Sequence, residues 1–211
     1  MNDYKQMPQQ RQNMQMSGEH EHHEKSGKSF HELMDCVASE LYHGLTWHGV
    51  AAPQMYKIGL RGYAHLHTYN AAHDFEKLFG MKTGEGGLLK ILEDRLDYCP
   101  DIDSSDIQQT LKFKLSSPAD LKPHFEAWCN SEHEFSKYLT ESVRMAASVD
   151  MCVYHELACI LSAVQEEIMR INILKKRMEI GGYAGHDLAT ISRHLHIHFE
   201  SHPEKGLDFD V

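Results

Sequence analysis

The chain has 211 residues, enough for one domain with a substantial core. It carries 21 Lys and Arg against 31 Asp and Glu, a formal charge of −10 with 17 histidines counted neutral. That acidity disfavours nucleic acid as a partner and favours cations. Five scattered cysteines do not read as a disulfide framework. No apolar run approaches the ~20 residues that span a bilayer, and no signal-peptide pattern opens the chain. A cytoplasmic, membrane-free setting is the expectation.

Residues 1–28 are polar and rich in Gln, Met, His and Glu, and read as a disordered tail. Met7, Met14 and Met16 precede His20, His22 and His23; thioether and imidazole together suit copper, and imidazoles alone suit nickel or zinc. The folded body is expected over 29–200, with a C-terminal tail over 201–211. It starts at "SFHE", a capping box from Ser29 to Glu32.

A first helix is predicted over about 30–51, with Leu33, Cys36, Val37, Glu40, Gly44, Trp47 and Ala51 on one stripe. Pro53 is expected to turn the chain and open a second helix, about 54–80. That helix places Tyr63, Leu66, Asn70, His73 and Lys77 along one face. A long connection over 81–122 contains the short helix "LLKILEDRL" and the turn "CPDIDSS". From His124 to Ile180 there is neither Gly nor Pro. One helix of that length would be ~85 Å long at ~1.5 Å per residue. A break is therefore expected at "AASVDM", with Ser148 or Asp150 as the cap, giving helices over about 119–147 and 150–180. Gly181 and Gly182 end the last of these, and a short fifth helix follows over about 186–199.

Two helices, a long crossover, two more helices and a short terminal one make an all-α, four-helix bundle with one crossover connection. That is the connectivity of ferritin-like folds. Glu40 lies within an apolar stripe, and Asn70 and His73 share the inner face of the second helix. Glu132 aligns with Phe135, Leu139, Val143 and Ala146. In the fourth helix Glu166 aligns with Cys152, Cys159 and Ile173, while Glu167 competes through Ile160, Val164 and Leu174. A carboxylate on an apolar stripe needs a metal or charged partners to offset its burial. The alternative to a metal site is a buried polar network.

The segments "NAAHDFEKLF", "FEAWCNSEHEF", "VQEEIMRINILKKRMEIGG" and "GGYAGHDLATISRHL" resemble, in order and spacing, those of the non-haem bacterial ferritins. The resemblance covers most of 30–196. It implies iron as the metal, with Glu40, His73 and Glu132 as ligands and Glu166 or Gln165 near a second ion. It also implies a homo-oligomeric shell, of 24 subunits foremost and of 12 as the alternative. Two departures stand out. Asn70 occupies the place of the bridging glutamate, and Trp47 that of a tyrosine. A neutral amide seldom bridges two cations, so ferrous oxidation is expected to be weak or absent. His43, His67 and the pair His155 and Cys159 are positioned to compensate and to turn the site toward zinc or copper. His194 and His198 share a face of the fifth helix; either they line a channel of the shell, as the resemblance implies, or they form a surface cluster. Two other functions stay open: sequestration of a soft metal by the Met- and His-rich tail, and a structural assembly role without catalysis.

Overall fold

The computed structural model describes residues 28–80, 86–105, 114–182 and 185–201, apart from the side chains at 118 and 185–187. Nearly all of the Met- and His-rich tail lies outside them, as does His202. The described residues form helices and no strands. The helices are α1 (Phe30–Lys57), α2 (Arg61–Phe79), α3 (Leu88–Leu96), α4 (Leu121–Ala146), α5 (Met151–Ile180) and α6 (Gly185–Ser201), with a 3-10 turn at Pro118–Asp120 before α4.

The expected helix starts follow from their caps. Glu32 N–H donates to Ser29 Oγ at 3.3 Å, and Ser29 N–H donates to Glu32 Oε2 at 2.6 Å. The break between α4 and α5 is capped by Asp150, whose Oδ1 accepts from Cys152 N at 2.8 Å and Val153 N at 3.1 Å. Arg95 of α3 donates to the same carboxylate at 2.8 Å and ties the crossover to the start of α5.

The first turn of the bundle lies elsewhere than the sequence suggests. α1 runs through Pro53 to Lys57, and the chain breaks at Gly59 instead. Proline removes the hydrogen bond to the Gly49 carbonyl. Gly49 and Pro53 both face solvent, so water can satisfy that carbonyl. Gly59 has φ +81°, a left-handed conformation that side chains resist.

α1 packs chiefly on α2, α4 on α5, α1 on α4, and α6 lies along α2. Gly62 makes the last contact possible. Its N–H donates to Ser192 Oγ at 3.0 Å, and a Cβ there would stand 1.8 Å from the Ser192 carbonyl oxygen. Gly62→Ala is expected to cost about 1–3 kcal/mol through overpacking, read as a lower urea midpoint. An unchanged midpoint would mean that α6 is not seated there.

The core has two apolar halves. One contains Met55, Tyr63, Leu66, Phe125, Trp128, Ile171 and Leu174. The other contains Leu33, Leu41, Leu78, Phe135, Leu139, Leu157 and Val164. On every long helix a polar residue sits at the boundary. His48 lies between Leu41 and Met55, Asn70 and Asp74 between Leu66 and Leu78, Glu132 between Trp128 and Phe135, and Glu167 between Val164 and Ile171. Among the described residues these side chains form a polar layer across the middle of the bundle.

Candidate metal centre

In that layer three side chains converge. His48, Glu132 and Glu167 each offer one donor atom, and the three atoms lie within 4.8 Å of one another. His48 Nε2 stands 3.8 Å from Glu167 Oε1. This is too long for a hydrogen bond, yet within the ~4.2 Å that two ligands each ~2.1 Å from a common ion can span at most. Glu167 Oε1 is buried without a hydrogen-bond partner. A desolvated, unsatisfied carboxylate oxygen beside an imidazole nitrogen is the condition a cation relieves. One nitrogen and two oxygen donors suit iron(II) or zinc, so the residues fit a divalent transition metal.

Asp74 and Lys77 complete the layer. Lys77 Nζ is 3.2 Å from Asp74 Oδ1, and solvent reaches only about a tenth of either side chain. Gly44 leaves the space for Asp74, since a Cβ there would lie 2.6 Å from Asp74 Oδ2. Burial lowers the Lys77 pKa, but the negative charges of Asp74, Glu167 and Glu132 outweigh it and hold the pKa above the ordinary lysine value. Lys77 is therefore a resident cation among three acids.

The acids respond in the opposite sense. Burial, then the charges of Glu167 and Asp74, push Glu132 well above the usual carboxylate range against the pull of Lys77. Burial raises Glu167 to about 7, with Lys77 pulling it down and Asp74 pushing it up. Burial likewise raises Asp74, less the attraction of Lys77. The indole N–H of Trp128 lowers both glutamates slightly, without good hydrogen-bond geometry to either. Burial holds His48 well below 6.5, so its imidazole is neutral and available as a ligand. Near neutral pH the metal-free cluster keeps protons that a bound cation would expel.

The sequence candidates are dispersed by the fold. Glu132 joins the cluster. Glu166 points outward, 58% exposed, and pairs with Arg170 at 3.2 Å; its neighbour Glu167 faces inward. Asn70 is buried, its Nδ2 without a partner, and it lines a cleft with Trp128 and Glu167. His73 is partly buried and stacks on Tyr69, 3.1 Å from its hydroxyl. Glu40 and His43 are partly buried on α1 but outside the convergent group. His67 is fully buried against His48. His155 and Cys159 are exposed, 3.8 Å apart. His194 is exposed and His198 partly buried. The sequence reading missed His48, Asp74 and His124. The signal for His48 was its place seven residues after Leu41 and three before Ala51.

The solved structures include one similar to this chain, an open-pore ferritin from the hyperthermophilic archaeon Archaeoglobus fulgidus. It has a TM-score of 0.59 at 16% identity, over 80% of this chain and 96% of that one. The chain has a ferritin-like helical-bundle fold. No protein-family model matches the sequence, and no curated protein matches it significantly. Among the described residues no helix is long and apolar enough to cross a membrane.

Proposed function

We propose that this ferritin-like chain binds one divalent transition metal, iron foremost, in the middle of its bundle and assembles into a homo-oligomeric shell for iron storage. The observation that carries the metal reading is the convergence of His48, Glu132 and Glu167 in the polar layer between two apolar cores. His48 would supply Nε2, and the two glutamates one oxygen each.

The charge count sets the number of ions. Three acids against Lys77 leave a deficit that one divalent ion balances. A second ion would meet the Lys77 ammonium and find the neutral Asn70 amide on the cleft beside Glu167. Paired-iron oxidation is therefore disfavoured, and the site serves binding more than catalysis. Zinc is the alternative occupant, because the same three donors leave a fourth tetrahedral position open.

Aerobic ferrous oxidation, followed by ultraviolet absorbance, tests this. Slow oxidation without a two-iron burst is expected, with ferrous affinity reduced in His48→Ala and Glu132→Gln. A rapid burst consuming two irons per chain would contradict the one-ion site. Light scattering checks assembly: a particle of many chains supports the shell, and a single 24.2 kDa species removes it.

A further inference from the structure

Next to the acids lies a group of imidazoles that metal ligation alone does not require. His48 Nδ1 is 2.7 Å from His67 Nδ1, and His67 Nε2 is 3.0 Å from His124 Nε2. Their exposures are 1%, 0% and 2%. Trp47 stacks on His124 at 4.5 Å, and Trp128 packs at 4.9 Å on both His48 and His67. The contacts run nitrogen to nitrogen across three helices, from the acids to the first turn of α4.

We propose that His48, His67 and His124 form a tautomer-coupled proton relay between the carboxylate cluster and α4. A neutral imidazole has one N–H and one bare nitrogen, so each contact needs a donor on one side only. Two arrangements satisfy both contacts. In the first, His124 Nε2–H donates to His67 Nε2, His67 Nδ1–H donates to His48 Nδ1, and His48 Nε2–H faces the acids. In the second, every proton is on the other nitrogen.

Conversion between them moves a proton. One proton from solvent binds His124 Nδ1, His124 Nε2 passes its own to His67 Nε2, and His67 Nδ1 passes its own to His48 Nδ1. His48 Nε2 then releases one toward Glu167. Three N–H bonds form and three break, one proton enters and one leaves, and each imidazole is neutral before and after. The trigger rests on the metal-site reading above. With the His48 Nε2 lone pair given to a cation, His48 must carry its proton on Nδ1, and the second arrangement is enforced. A metal-ligating histidine commonly donates its other N–H to a fixed acceptor; here that acceptor is His67, a positioning residue, held in turn by His124.

Magic-angle-spinning NMR of 15N-histidine-labelled full chain at pH 7.5, with and without zinc, tests this. In the metal-free protein the protons are expected on His67 Nδ1 and His124 Nε2. Zinc is expected to move them to His67 Nε2 and His124 Nδ1, as His48 becomes protonated at Nδ1. A zinc-shifted His48 with unchanged His67 and His124 would overturn the relay and leave the site standing. An unshifted His48 would overturn the site and the relay together. In His67→Phe, which keeps the aromatic packing, the His124 tautomer is expected to ignore zinc; a response there would also overturn the relay.

Discussion

Lys77→Met is expected to destabilise the metal-free protein at pH 7 by about 3–5 kcal/mol, the usual effect of removing one partner of a buried ion pair. Lys77 carries the positive charge paired with Asp74 and close to Glu132 and Glu167, the last of which also feels Arg170. Without it the Asp74 carboxylate is left buried and uncompensated, and the cluster must take up a further proton. The same variant should gain more from zinc than the parent, because the ion then replaces the lost charge. At a hundredfold excess over Kd, binding adds about 2.7 kcal/mol. Urea unfolding with and without zinc reads both effects. Equal stability of Lys77→Met and parent without metal would mean that Lys77 does not neutralise the cluster.

The second large effect is on pH dependence. Glu167 titrates near 7 in the fold against 4.5 when unfolded. An acid with a raised pKa stabilises fully below its unfolded value and loses that contribution as pH rises through its folded value. The loss for Glu167 is about 3 kcal/mol between pH 4.5 and 7, and Glu132 adds to it in the same direction. The histidines act oppositely. Burial holds His48 and His67 well below 6.5 and His124 at about 3. Their contribution is present above 6.5 and lost as pH falls, when the unfolded chain takes up protons that the fold refuses. The metal-free protein should therefore be most stable near pH 6.5 and weaken on both sides. With zinc bound the glutamates are ionised in the fold, so the alkaline decline should disappear. A decline persisting in saturating zinc would place the buried acids outside the metal site.

Much of the fold is legible in the sequence because its signals are local. Ser29 with Glu32, Asp150 before the apolar run of α5, and the glycines after Ile180 act within one turn of chain. Pro53 misleads because a proline in a helix is tolerated when the carbonyl it orphans can reach water, and Gly49 is exposed. The site is harder to read because it depends on rotation about each helix axis. Neighbouring positions differ by about 100°. Glu40 and Leu41 head competing stripes on α1, and so do Glu166 and Glu167 on α5. Counting Gly44 and Trp47 as inner residues favours the Glu40 stripe, whereas the packed face is Leu41, His48 and Met55. Glu132 is read correctly as inward because four apolar partners fix its stripe. Lys77 is on the inner face in sequence, but only the fold brings Asp74, Glu132 and Glu167 around it.

Anomalous diffraction at the cobalt edge, from crystals grown with cobalt(II), tests the metal site most directly. Expected is one peak per chain in the bundle core, about 2.0–2.2 Å from His48 Nε2 and from an oxygen of Glu132 and of Glu167, and its loss in Glu167→Gln. Cobalt confined to surface histidines, or two peaks in the core, would contradict the one-ion centre.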